Sequence, residues 1–210
     1  MMRSAIVALA ALLCSAFASA EIVRGRDYEL LPVAQSTASA DKVEVLEFFS
    51  YACPHCANFH PHVTRWAKAL PSDVEFVRIP VVFGRRPWGQ LVRAYYALQA
   101  SGQLERFDDA LFDAIHKEGR SLFDEPTLTA WVAERGGNAA AFREAFYSDE
   151  VTRKALRANE LTRVYRVQGV PHLAVAGKYS VKGETQAQML EIATALVERE
   201  RAAKRGTGTE

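Results

Sequence analysis

Two short, almost uninterrupted apolar runs bracket one amphipathic helix, and that order leaves few folds open. Val43 to Phe49 (VEVLEFF) and Val74 to Phe83 (VEFVRIPVVF) are rich in β-branched and aromatic residues. Runs of that kind mark strands buried on both faces. Between them Phe59, Val63, Trp66, Ala67 and Leu70 recur at helical spacing and form one apolar face. Pro61 falls inside the pattern and is expected to kink that helix. Strand, helix and strand with short links predict a right-handed βαβ unit and a parallel sheet.

The rest of the chain divides by periodicity. A short strand is expected near Tyr28 to Leu31. From about Trp88 to Val167 only helical spacing is seen, as in Leu91, Tyr95 and Leu98, then Leu104, Phe107, Leu111 and Ile115. Glu125-Pro126 opens a helix that Gly136-Gly137 ends, and Asn138 is a good cap for the next. Val151, Ala155, Ala158, Thr162 and Tyr165 continue on a long helix. These faces suit mutual packing in a helical bundle. Strand-type sequence returns at Pro171 to Val181, where Gly177-Lys178 joins two short runs in a hairpin. A last amphipathic helix is expected over Glu184 to Ala203, followed by a mobile polar tail from Lys204 to Glu210.

The amino terminus reads as a secretory signal. Arg3 gives the positive region, Ala5 to Leu13 the apolar one, and Ala18-Ser19-Ala20 the small-residue cleavage pattern. Cys14 raises the question of a lipoprotein, but Leu13 fits such a site poorly. Residues 1–20 are therefore expected to be removed, which places the protein in an export compartment where disulfides persist. Lys plus Arg number 26 and Asp plus Glu 25. That balance gives no electrostatic footprint for nucleic acid. Of three cysteines, Cys14 lies in the signal, and Cys53 and Cys56 remain as one CxxC.

The chemistry is expected at Cys53-Pro54-His55-Cys56. A buried strand ends and a helix begins there, so Cys53 occupies the cap, near unpaired backbone N–H groups and the positive end of the helix dipole. Both stabilise a thiolate. Pro54 suits the first helical position, and a protonated His55 would add positive charge. Cys56 lies one turn inside, less accessible. A stabilised Cys53 thiolate favours the reduced protein, so the disulfide is readily given to other thiols. Three plainer readings compete. A purely structural disulfide would close a tiny loop and stabilise little. A zinc site could join Cys56 with His60 and His62, although no second CxxC is present and Pro61 disturbs the spacing. A c-type haem would need His directly after Cys56, where Ala57 stands.

These residues resemble the DsbA thiol–disulfide oxidoreductases. The run Glu47 to Cys56 (EFFSYACPHC) looks like that family's active-site segment. The likeness extends over Gly25 to Leu31, the helical stretch, Val167-Gln168-Gly169-Val170-Pro171 and Gly177-Lys178-Tyr179. The resemblance implies an α/β thioredoxin-like fold interrupted by an α-helical domain. The expected organisation is residues 21–85 and 166–203 for the thioredoxin-like part, 86–165 for the insertion and 204–210 for the tail. It further implies a cis Val170–Pro171 bond set against the cysteine pair, with the backbone at Val170 pairing with a substrate peptide as an added strand. Valine before that proline is similar to the oxidase branch; related isomerases usually carry threonine.

Glu47, a carboxylate in a buried strand, is expected to have a raised pKa and to exchange a proton with Cys56. Two departures from the family stand out. Arg78 occupies a position where relatives commonly carry lysine, and could ion-pair with Glu47. His172 follows the proline where a small residue is common, and either tunes the site or packs. His60, His62 and His116 are taken as surface or packing residues. The resemblance thus implies a monomeric periplasmic dithiol oxidase without metal or organic cofactor. It would act on unfolded secreted proteins and be reoxidised by a DsbB-type membrane quinone reductase. A same-fold reductase or isomerase, and a non-redox zinc or peptide-binding module, stay open.

Overall fold

The structure is a computed structural model that describes residues 21–207; the expected signal peptide and residues 208–210 lie outside the described residues. Five strands form one sheet: β1 (Tyr28–Leu30), β2 (Val43–Phe49), β3 (Val74–Pro80), β4 (His172–Val175) and β5 (Tyr179–Val181), in the order β1-β5-β4-β2-β3. Helix α1 (Pro54–Lys68) connects β2 to β3. Helices α2 (Arg86–Ala100), α3 (Leu104–His116), α4 (Glu125–Glu134), α5 (Ala139–Phe146) and α6 (Asp149–Val164) all come between β3 and β4. Helix α7 (Gln186–Thr207) closes the described chain. This is a thioredoxin fold with a helical insertion.

The sheet is mixed where a parallel one was expected. Only β2 and β3 run parallel, joined by the α1 crossover. The chain returns from the insertion into β4 antiparallel to β2, and the tight β4–β5 turn then allows only a further antiparallel partner. Every residue of β2 is buried, with its side chains divided between two cores. Val43 and Val45 join Phe59 and Val63 of α1 and Ile192 and Leu196 of α7. Leu46 and Phe48 join the insertion's core with Leu91, Leu111 and Trp131. Burial on both faces explains why β2 reads as a nearly continuous apolar run and not as an alternation.

Three boundaries differ from expectation, while α1 holds Pro61 inside it as the spacing predicts. The second strand stops at Pro80, short of Phe83. Val81 still donates to the Phe49 carbonyl at 2.8 Å, and the chain then turns through Phe83 and Gly84, both at positive φ. Helix α1 runs on across Pro61. The last helix begins at Gln186 and not Glu184 because Thr185 and Gln188 cap it reciprocally. Gln188 N donates to Thr185 Oγ1 and Thr185 N to Gln188 Oε1, each at 3.2 Å. That helix then continues through Thr207, so 204–207 of the segment expected as tail is helical.

Within the insertion, Asp124, Asn138 and Ser148 each cap a helix by accepting a backbone N–H three residues on. At Gly177 the backbone has φ +66°, and an added Cβ would stand 2.1 Å from the Gln35 carbonyl oxygen. Gly177 is the residue that lets the segment before β2 pack on the β4–β5 turn.

Candidate functional site

The corner after β2 builds the site. Ser50 is buried, its carbonyl accepts from Cys53 N at 3.1 Å and its hydroxyl from Ala52 N at 3.2 Å. Cys53 is thereby held as the cap of α1 in an extended conformation (φ −94°, ψ 116°), with Pro54 at the start of the helix. Pro54 and His55 are exposed. Cys53 keeps 7% of its surface and Cys56 none, and both are thiols. The cis Val170–Pro171 peptide bond lies against this corner: Cys53 Sγ stands 3.4 Å from the Val170 carbonyl oxygen.

The two cysteines are driven apart electrically. A hydrogen bond from the Cys56 thiol lowers Cys53 to about 6, against the opposing effect of its burial. The backbone N–H groups of Cys56 and His55 and the His55 charge add to the lowering. Burial, chiefly, pushes Cys56 far above the thiol range, and its role as donor to Cys53 and the Glu47 charge push the same way. At neutral pH Cys53, with 7% of its surface exposed, is an anion, and Cys56 is a fully buried thiol. A thiolate absorbance titration of the reduced protein is expected to show one cysteine ionising with a midpoint near 6. The same midpoint should govern alkylation of Cys53, with no second thiolate in the neutral range. A lone midpoint in the ordinary thiol range would refute this electrostatic account.

Beneath the pair lies a buried ionic network. Glu47 is fully buried and faces Arg78 across the parallel β2–β3 ladder. Arg78 Nε donates to Glu47 Oε2 at 2.7 Å and Nη1 to Asp108 Oδ2 of α3 at 2.5 Å. The Arg78 guanidinium also lies 3.8 Å from the centre of the Phe49 ring. Burial alone would lower Arg78, but the Glu47 and Asp108 charges reverse that and hold it protonated. Glu47 Oε1 and Arg78 Nη2 have no hydrogen-bond partner among the described residues.

Tyr51, two residues before Cys53, is the link to the insertion. Its hydroxyl donates to Asp108 Oδ1 at 2.5 Å, and its carbonyl lies 2.7 Å from His116 Nε2. Tyr51, Asp108 and His116 did not stand out in the sequence. The one available signal was the four- and eight-residue spacing of Asp108, Phe112 and His116, which puts all three on one face of α3.

Of the other histidines, His62 is exposed, whereas His60 is buried against Phe112 with Asp109 at 2.6 Å. His60, Asp108 and Asp109 present ligand atoms within 4.8 Å of one another. Asp108 is already engaged by Arg78 and Tyr51, so a cation there would compete with a guanidinium. Cys56 is not among these atoms, as the zinc reading would require. Burial holds His172 down at about 4 and so neutral, packed on Phe48 with Ser180 Oγ at 3.3 Å from Nε2.

Comparison with known proteins agrees with this arrangement. Residues 44–195 match the DSBA-like thioredoxin domain. The thiol:disulfide interchange protein DsbA of Pseudomonas syringae pv. tomato is 38% identical over 205 residues, which is 95% of this chain and 94% of that protein. The protein of the same name from Azotobacter vinelandii is 37% identical over 190 residues, covering 88% and 87%. Among solved structures, Pseudomonas aeruginosa DsbA superposes with a TM-score of 0.82 at 33% identity, over 86% of this chain and 95% of that one. The oxidoreductase DsbA from Xylella fastidiosa gives 0.81 at 34% identity, over 86% and 98%.

Proposed function

The chain belongs to the DsbA family of thiol–disulfide oxidoreductases, and on that premise we propose that it is a periplasmic oxidase of newly exported proteins. A substrate thiolate attacks Cys53 Sγ, the Cys53–Cys56 bond breaks, and Cys56 leaves as a thiolate that takes up a proton. A second substrate thiolate then attacks the substrate sulfur of the mixed disulfide and expels Cys53 as a thiolate. The substrate loses two electrons and the Cys53–Cys56 pair gains them. Return to the disulfide requires an external acceptor, which we assign to a DsbB-type membrane quinone reductase.

The observation that carries this reading is the asymmetry of the pair. Cys53, the sulfur whose thiolate is stabilised and the less buried of the two, is both the accessible electrophile in the disulfide and the better leaving group in the mixed disulfide. Buried Cys56, kept protonated in the reduced protein, stays out of intermolecular exchange. The Val170 carbonyl beside Cys53 Sγ supports a role for Val170 and Pro171 in pairing with the substrate backbone. Glu47 is assigned a proton-handling role toward Cys56, since its charge acts on that sulfur, although its Oε2 is committed to Arg78. Pro54 and His55 shape the cap and add positive potential. No helix among the described residues is long and apolar enough to cross a membrane.

Trapping tests the proposal. Cys56→Ala, expressed with its expected signal, should accumulate mixed disulfides through Cys53 to exported proteins, released by reductant. Absence of such adducts, with the variant folded and Cys53 alkylatable, would contradict it.

A further inference from the structure

Beside the cis-proline segment lies a shallow depression of about 420 Å³, lined by Phe83, Thr162, Arg163, Arg166, Val167 and Gln168 among others, with no acidic side chain on its wall. Topology puts it at the same end of the sheet as the cysteines. Because β2 and β3 run parallel, the Cys53 corner and the Phe83 turn leave the same end of the sheet. Because β4 runs antiparallel to β2, the segment that feeds it, residues 165–171, starts from that end too. Val167 and Gln168 precede by two or three residues the Val170 whose carbonyl meets Cys53 Sγ.

The charges there are unspent. Arg163 and Arg166 are exposed, and neither forms an ion pair with an acidic residue among the described residues. Arg85, two residues after the lining Phe83, is stacked 4.9 Å over Trp88, which itself packs on Phe83. Arg166 carries a second, independent signal. It sits just past the C-cap of α6 with φ +53°. Val167 N donates to the Thr162 carbonyl and Arg166 N to the Arg163 carbonyl, at 3.0 and 3.1 Å. That hydrogen-bond pair is the helix stop in which glycine is the least strained residue. The backbone would be better served by glycine, yet it holds up a long cation at the edge of the site.

Resting on the oxidase reading, we propose that this depression is a charge-selecting subsite for thiol substrates that carry Asp or Glu a few residues from the reacting cysteine. A peptide laid in extended form along the Val170 backbone advances about 3.3 Å per residue. Within a few residues it passes Gln168 and Val167 and brings a carboxylate to two guanidinium groups that have no other partner. Arginine's planar fork matches a carboxylate with two parallel hydrogen bonds. At an exposed rim such a contact acts mainly on the rate of productive encounter, and salt weakens it.

The test uses three reduced two-cysteine peptides of one sequence whose flanking positions are filled with Glu, Gln or Lys. The oxidised protein should react with the Glu peptide roughly three- to tenfold faster than with the Gln peptide at low ionic strength, and slowest with the Lys peptide. About 0.5 M NaCl should largely erase the order, since screening then acts over a few ångströms. Combining Arg163→Gln with Arg166→Gly should bring the Glu-to-Gln ratio close to one. The unfolding midpoint should meanwhile hold or rise, because glycine relieves the left-handed backbone. Equal rates in the parent protein at low salt, or the parent ratio kept by the double variant, would overturn the subsite alone. Failure to oxidise any of the three peptides would overturn the oxidase reading and the subsite with it.

Discussion

Replacing Arg78 by methionine is expected to destabilise the protein by about 3–5 kcal/mol, the cost of stranding buried charge without its partner. Arg78 is the cation between two carboxylates, one of them fully buried on β2 and the other on α3. Its removal leaves Glu47 without its hydrogen-bond donor inside the core and deprives Asp108 of its cationic partner. Asp108 also accepts from Tyr51, so the loosening should reach the corner that carries Cys53. Adding Glu47→Gln to Arg78→Met should recover part of the loss, since an uncharged amide tolerates burial better than an unpaired carboxylate. Chemical denaturation of the reduced protein measures both effects. A loss below about 1 kcal/mol for Arg78→Met would show that water reaches the network and that its charges are not held in a dry core.

That network marks the limit of what could be read before the fold was known. Strand β2 was legible to the residue because burial on both faces writes itself as an apolar run broken only by Glu44 and Glu47. The caps at Asn138 and Thr185 belong to local chemistry, although the second was resolved only by the reciprocal bond to Gln188. The corner position of Cys53 followed from the change of period after Phe49. The Glu47–Arg78 pair was anticipated through the family resemblance alone, and the parallel register then shows them to be neighbours.

Other features were invisible for physical reasons. Sheet direction depends on how the chain re-enters after a long insertion, which periodicity does not encode. A turn through Phe83 and Gly84 ends the strand inside a run whose apolarity continues to Phe83. The clamp of Asp108 and His116 on Tyr51 joins residues more than fifty positions apart, and polar residues on a helix look alike whether they meet solvent or a partner. The arginines beside the cis-proline segment became informative only when the fold showed that they lack carboxylate partners and line one depression.

The central claim is that the helix start makes the disulfide a strong oxidant by stabilising the Cys53 thiolate in the reduced protein. The linkage has a definite sign. Cys53 ionises at about 6 when folded and reduced, below its ordinary range. The extra stability of the reduced form is therefore fully present above the ordinary thiol pKa and is lost as pH falls through about 6. Near neutrality much of it remains, and it appears directly in the exchange equilibrium with another dithiol or with glutathione. Equilibrating the protein in glutathione redox buffers at pH 7 and quantifying the Cys53–Cys56 disulfide is the most direct measurement. The account predicts a potential more oxidising than roughly −180 mV, the level of protein disulfide isomerase. A value near about −270 mV, as in thioredoxin, would mean an equilibrium some three orders of magnitude toward the disulfide, and would contradict it.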